Sequence, residues 1–517
     1  MPRTSKAAWG LLAIVLLLPL ILMAIVPLYD TSEPRYAEIA RIMAQTGDWI
    51  TPWFSPGVPF WGKPPLSFWA QALSMKAFGY NEFAARLPSW LCLVFSNAII
   101  ITGLRSLQTP RIAMLAALIY STSALVYISS GAVLTDPFLA LGTTLSLISF
   151  AMSVHNHNLI VADGGNQLEQ AASAPRKWSV LAWQYGFFFG LAIGLLSKGP
   201  LAVVVSFAPI VVWYAITRKT GVLRAALPWG KGLALTAALS LPWYVLAEIK
   251  TPGFIDYFIV GEHFRRFLDP GWQGDLYGTA HKRTYGAIWL FWLQASLPWG
   301  IVMLAGLLGA LRNLRLRSAT KAVSQDPFFG YWLASALFTP LFFTVSANIL
   351  WTYLLPSLAG FSVLAAIFTD QLNRQSVLSW RAILGVAGVV PTLALVFSVA
   401  VWIAPNLRNS ERGLVSYVMQ HNSPATPLLY LSKPPFSAEF YSAGSVHEIK
   451  ESQLKQASAC GTPFYLAIPK KKQMEVAGLI ERPLEQLYTN KRYVLVRVAG
   501  QHDCQLPQQA LRTVSSR

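Results

Sequence analysis

Residues 30–36 read DTSEPRY and place Asp30, Glu33 and Arg35 directly after an apolar run over 8–28. A carboxylate held at a membrane face can act as a general acid or base, or bind a cationic group. An arginine beside it presents a planar fork that suits phosphate. Residues of the same kinds recur: Lys63 in FWGKPP, Asp136 in VLTDPF, Lys198 in LLSKGP, His263 and Arg266 in GEHFRRF, and Tyr353 in LWTYLLP. Each also has an ordinary structural reading. Asp30 and Glu33 can cap a surface helix while Arg35 snorkels. Asp136 before Pro137 suits a helix start, Lys198 can snorkel, and Glu262 with Arg266 is an i,i+4 pair. His263 is a candidate metal ligand, without a nearby His or Cys at ligand spacing. What separates chemistry from structure is whether the chain brings these groups to one face.

Composition indicates what positions them. The chain has 517 residues, of which 54% are hydrophobic and 12% charged, too apolar for an ordinary soluble enzyme. Apolar windows recur near 8–28, 84–104, 112–130, 134–153, 180–197, 200–217, 228–248, 285–310, 328–345, 350–369 and 382–403. Each is long enough to cross a hydrocarbon core of roughly 30 Å, and such spans must be helices. The expected class is therefore an all-α polytopic membrane protein. The first run is read as an uncleaved span, since no small-residue cleavage site precedes Pro27 and Tyr29.

The net charge of +18 alternates with the spans instead of forming one basic face, which argues against nucleic acid. With the N-terminus inside, the inside connections hold Arg3, Lys6, Arg105, Arg111, Arg176, Lys177, Arg218, Lys219 and Arg224, then Arg312, Arg315, Arg317, Lys321, Arg374 and Arg381. Acidic residues there are sparse: Asp163, Glu169, Asp326 and Asp370. This is the positive-inside pattern. It puts Arg35, Tyr36, Lys63, Asp136, Lys198, His263, Arg266 and Tyr353 at the outer face. Together Arg35, Lys63, Lys198 and Arg266 can neutralise a phosphate-bearing lipid.

Three outside segments stand out: 29–83, 250–284 and 405–517. In the first, Tyr36, Ile39, Ala40 and Met43 share one helical face, with Arg35, Glu38, Arg41 and Gln45 opposite, and Gly47 marks the stop. A second helix is expected over 65–79. Trp49, Trp53, Trp61 and Trp69 suit an interfacial belt. The domain reading is a transmembrane catalytic part, 1–404, and a small soluble α/β part, 405–517. Strands are expected at 427–431, 463–468 and 492–499, with a partly helical stretch at 475–488. Of the three cysteines, Cys92 falls in a span; Cys460 and Cys504 fall in the tail, where sequence does not decide a pairing.

In order along the chain, SEPRYAEIARIMAQTGDWITP, GKPPLSFWAQALSMKAFGYNEFAARLPS, AVLTDPFLAL, LSKGPLA, EHFRRF and SLPW resemble the lipid A aminoarabinose transferases. These belong to the protein-mannosyltransferase-like GT-C glycosyltransferases, and the similarity covers about residues 8–370. It implies a GT-C fold in the inner membrane and a polyprenyl-phosphate sugar donor. It also implies an acceptor, lipid A or another molecule, on the periplasmic face. Asp30, Glu33 and Asp136 are then candidates for catalysis, and Arg35, Tyr36, Lys63, Lys198, Arg266 and Tyr353 for the donor phosphate. Three positions depart from the family pattern. Ser32 stands where the family has Asp; Gly62 replaces a Glu that helps bind a divalent metal; and ANILWTY lacks two lysines but keeps Tyr353. A protein or glycan glycosyltransferase with the same donor type is the nearest alternative, and a transporter or lipid flippase the alternative from another class. A transporter is expected to gather its charges near the midplane.

Overall fold

The computed structural model describes residues 3–163, 177–269, 272–278, 281–421, 426–459, 463–480 and 484–499. Arg176, Glu169, Cys460 and Cys504 lie outside the described residues. Among those described, six helices are each long and apolar enough to cross a membrane, and nine if each of three bent pairs counts as one span. This is a multi-pass membrane protein. Two further expected spans correspond to Leu201–Thr217, a shorter apolar helix, and Ser357–Arg374, which is buried almost all round.

The bends were not expected. Pro110–Thr122 and Ala124–Ser130 meet at 68°, and Ala287–Ala295 and Trp299–Gly309 at 106°. The sharper break falls at Pro298, which has no backbone N–H to continue the helix. Arg111 and Arg374 converge on the fully buried Asp370, at 2.6 and 2.7 Å. Two connections assigned to one side of the membrane therefore do meet.

Tight helix contact matters most between Asp136–Asp163 and Lys177–Lys198. The second helix carries glycines at 186, 190 and 194. A Cβ at Gly190 would lie 2.4 Å from the Gly142 carbonyl oxygen, and one at Gly142 would lie 2.6 Å from that of Gly190. Small residues at this spacing let two helix backbones touch. The first residue of one helix, Asp136, is thereby brought beside the last of the other, Lys198.

The first loop folds as two helices, Ser32–Thr46 and Leu66–Phe78, stopped by Gly47 and Gly79 at φ 71° and 83°. The tryptophans expected as a belt tie the loop together through their indole N–H groups. Trp69 donates to the Trp49 carbonyl, Trp53 to Asp48 and Trp61 to Thr251. The polar face of the first helix is not open. Glu38 and Arg41 are each 4% exposed and pair at 2.6 Å, because the helix Phe436–Tyr441 packs across them. Gly444 sits so close that a Cβ there would meet the Arg41 guanidinium at 2.9 Å.

The C-terminal region is a five-stranded mixed sheet in the order His447–Ile449, Leu428–Leu431, Phe464–Pro469, Tyr493–Val498, Glu485–Thr489. The first three strands are parallel and the last two join antiparallel. The stretch expected to be partly helical divides into a helix, Gln473–Leu479, and the edge strand Glu485–Thr489. Apolar clusters cover both faces of the sheet. Asp30 anchors it to the membrane part. Its carboxylate, 3% exposed, takes Arg492 at 2.5 Å and the Ser437 backbone N–H at 2.9 Å, while Glu411 holds the same arginine at 2.8 Å. Tyr441 adds a second tie, donating to Glu82 and accepting from the Leu28 backbone.

Beside this contact, burial and the neighbouring Glu38 push the Glu439 carboxyl up to about 7, against the pull of Lys433 and Arg41. A carboxyl with a raised folded pKa contributes stability that is complete below its unfolded value, near 4.5. That contribution is lost as pH climbs through 7, with a slope of at most about 1.4 kcal/mol per pH unit. The purified protein should therefore lose melting temperature between pH 5.5 and 8 by more than its Glu439→Gln variant does. Equal losses in the two proteins count against this coupling.

Candidate active site

A cavity of about 180 Å³ opens where the first loop, the turn after Lys198, the segment around residue 262 and the segment after Phe342 meet. Its lining mixes two chemistries: Lys63, Lys198, Glu262, Arg266, Asn348 and Tyr353 are charged or polar, and Leu201, Val204, Phe264, Phe267, Phe342 and Phe343 are apolar. A charged head on an apolar tail fits such a lining.

Each cation already has an anionic partner. Lys198 lies 3.0 Å from Asp136, with side chains 9% and 7% exposed. Its ammonium also sits 5.1 Å from the centre of the Tyr353 ring and within electrostatic range of Tyr36. Lys63 reaches Glu262 at 3.3 Å. Arg266 donates to both oxygens of Glu262, at 2.9 and 3.1 Å, and lies 3.5 Å from Asp275. Burial raises the Glu262 pKa, but Lys63 and Arg266 outweigh it and hold the carboxyl below the usual range. Asp256–Arg265 is wound as a π-helix, running into Arg266–Leu268.

The turn Lys198–Gly199–Pro200 has a specific requirement. Gly199 has φ 72°, and a Cβ there would lie 2.7 Å from the Phe258 ring. His263 closes the same turn: Nε2 faces the Lys198 carbonyl at 3.0 Å and Nδ1 faces that of Phe258 at 2.7 Å. His263, the metal-ligand candidate of the sequence, thus has a carbonyl oxygen beside each ring nitrogen, and a neutral imidazole donates to only one of them. Gly62 does not open a site either. A Cβ there would lie 2.8 Å from the Phe60 ring, which fills the space. Among the described residues no group of three His, Cys, Asp or Glu is arranged to hold a metal ion. The described residues do not fit the metal that the family pattern implies.

The DTSEPRY charges have other work. Glu33 receives Arg86 through both oxygens, at 3.0 and 2.9 Å, and the Val133 backbone N–H at 3.1 Å. Arg86, fully buried, also donates to the Met23 and Pro27 carbonyls and so pins the end of the first span. Arg35 donates to the Tyr277 carbonyl at 2.7 Å and lies over the Tyr36 ring. None of Asp30, Glu33 or Arg35 lines the cavity. The catalytic roles expected of Asp30 and Glu33, and the phosphate role expected of Arg35, therefore gain no support from this cavity. Both carboxylates pair with arginines that hold elements together, the fully buried Arg86 and the partly exposed Arg492.

Lys63, Lys198, Arg266 and Tyr353 do come together, with Asp136 behind Lys198. Sequence reasoning treated Glu262 only as the helical partner of Arg266 and missed Ser346 and Asn348. The Asn348 side chain donates to the Arg266 and Asp269 carbonyls, both at 2.9 Å, and holds the end of that helix. Nothing in SANIL announces this. The glycine spacing at 186, 190 and 194 was legible and foretells the close helix pair.

Residues 9–258 match the family model described as dolichyl-phosphate-mannose-protein mannosyltransferase. The chain is 33% identical over 72% of its length to the undecaprenyl phosphate-alpha-4-amino-4-deoxy-L-arabinose arabinosyl transferase of Edwardsiella ictaluri (strain 93-146). It is 31% identical over 75% to the protein of the same name from Erwinia tasmaniensis. It spans 61% and 64% of those relatives' own lengths. The fold matches the crystal structure of ArnT from Cupriavidus metallidurans bound to undecaprenyl phosphate. The TM-score is 0.73 at 17% identity, covering 96% of this chain and 100% of that one.

Removing one partner of a buried ion pair strands the other, at about 3–5 kcal/mol. Asp136→Asn should thus lower the melting temperature of the purified protein sharply, and Lys198→Met should do the same. The double variant should be less damaged than the sum of the two. Strict additivity would mean that the pair does not couple.

Proposed function

We propose that this chain, aminoarabinose transferase-like in sequence and sharing the GT-C membrane fold, is a glycosyltransferase. It moves a sugar from a polyprenyl-phosphate donor to lipid A or another acceptor. In this reading it lies in the bacterial inner membrane, with the cavity on the periplasmic face as the positive-inside pattern requires. The observation that carries the proposal is the cavity itself. Three cations line it together with apolar side chains such as Leu201, Val204 and Phe267. The names of the relatives, and the carrier bound in the fold neighbour, are in keeping with that lining.

The reaction needs charge stabilisation more than proton transfer. As the bond from the sugar to the carrier phosphate breaks, negative charge grows on the leaving phosphate. Lys63, Lys198 and Arg266, already held in place, stabilise it without moving. Asp136 acts through Lys198, fixing the ammonium at the end of its helix. Tyr353 packs on the same ammonium and restricts where it points. An acceptor phosphate is anionic and attacks without a base, whereas an acceptor hydroxyl requires a carboxylate. The one carboxylate among the described cavity-lining residues is Glu262. Asp30 and Glu33 support the site from outside by holding the loop and the C-terminal region.

Truncating one partner of a buried charged contact costs about 2–5 kcal/mol. Alanine variants of Lys63, Lys198 and Arg266 should each lose most transfer at matched membrane levels, and undecaprenyl phosphate should bind them more weakly by that margin. Mass spectrometry of lipid A and surface glycans, from cells with and without the protein, should show one sugar addition that depends on it. Parent-level affinity in all three variants, or identical glycolipids in both cells, would overturn the assignment.

A further inference from the structure

The three cations are not neutralised in the same way. Asp136 reaches Lys198 from behind and does not line the cavity. Glu262 lines it, with a side chain 7% exposed, and takes hydrogen bonds from Lys63 and Arg266 together. A phosphate entering the cavity must meet these same two donors. Two other lining groups hold donors in reserve. Among the described residues the Arg266 Nε and the Ser346 hydroxyl are buried and have no hydrogen-bond partner. The cavity lining therefore holds one fixed anion, and two of its residues carry donors that a small side-chain shift would turn toward a second.

The charges of the carrier give this arrangement a consequence. A sugar-linked polyprenyl phosphate is a phosphodiester and carries a single negative charge. The spent carrier is a phosphomonoester, whose second ionisation lies near 6, so at neutral pH it carries close to two. Three unopposed cations would hold the spent carrier more tightly than the donor and slow its release.

Building on the donor-site reading above, we propose that Glu262 is a resident anion that sets the preference of the site between donor and spent carrier. It keeps Lys63 and Arg266 paired before the phosphate arrives. With the carrier bound, its fixed charge opposes the second negative charge of the monoester more than the single charge of the diester. Arg266 Nε and Ser346 supply hydrogen bonds to the phosphate that do not require Glu262 to leave.

The test is direct binding to the purified full-length protein in nanodiscs. The probes are undecaprenyl phosphate and undecaprenyl methyl phosphate, a diester without a sugar to transfer. In Glu262→Gln, which keeps the shape and removes the charge, the Kd for the monoester should fall by roughly tenfold or more. The diester should tighten much less, and Glu262→Asp should behave like the parent. A strut that merely positions Lys63 and Arg266 predicts the reverse, with both probes weakened in Glu262→Gln; that result would overturn the proposal. Equal tightening of both probes would also overturn it, because the charge would not discriminate. If the parent binds neither probe, the donor-site reading fails first, and this inference with it.

Discussion

A lysine ammonium buried at the end of a membrane helix must have a counter-charge within reach, and much of this structure follows from that requirement. Lys198 meets it with Asp136 at 3.0 Å. The two residues terminate neighbouring helices, so the pair forms only if those helices lie in near-contact. The glycine-lined contact at Gly142 and Gly190 provides this. His263 then clamps the turn after Lys198 through its carbonyl, which sets the helix carrying Glu262 and Arg266 against the same site. One buried charge thus accounts for the tight helix pair, the glycine turn and the placement of the opposite wall.

The same rule explains why so many charges sit at the membrane boundary. Asp30 answers Arg492, Glu33 answers Arg86, and Glu38 answers Arg41. Each pair joins elements or stiffens one. A buried ion pair is weak evidence for net stability, but breaking one is costly, so the pairs act as registers for how the parts dock. The C-terminal sheet is held this way, through Asp30 and Tyr441, to the loop that supplies Lys63 to the cavity.

Much of the architecture was legible. Spans can be read because hydrocarbon tolerates only apolar helices, and the first loop because its apolar residues recur at helical spacing and stop at Gly47. The three inner strands of the tail were legible from their short apolar and aromatic runs. The functions of Asp30 and Glu33 were not. Their partners lie 462 and 53 residues away, and residue type alone does not distinguish a carboxylate that does chemistry from one that holds an arginine. Glu262 was hidden differently: its helical pairing with Arg266 is real and legible, while its link to Lys63 spans 199 residues. The Gly62 departure from the family pattern was visible, and its meaning became clear only with the Phe60 ring seen filling the space.

The position of the carrier phosphate decides the roles of Lys63, Lys198 and Arg266. A cryo-electron microscopy structure of the full-length protein with undecaprenyl phosphate settles this most directly. The phosphate should lie within hydrogen-bond reach, about 3 Å, of Lys63, Lys198 and Arg266, with the prenyl chain running past Leu201, Val204 and Phe267. A phosphate seated elsewhere, for instance on the Arg35 side of the first loop, with the cavity left to solvent or ordinary lipid, would contradict it.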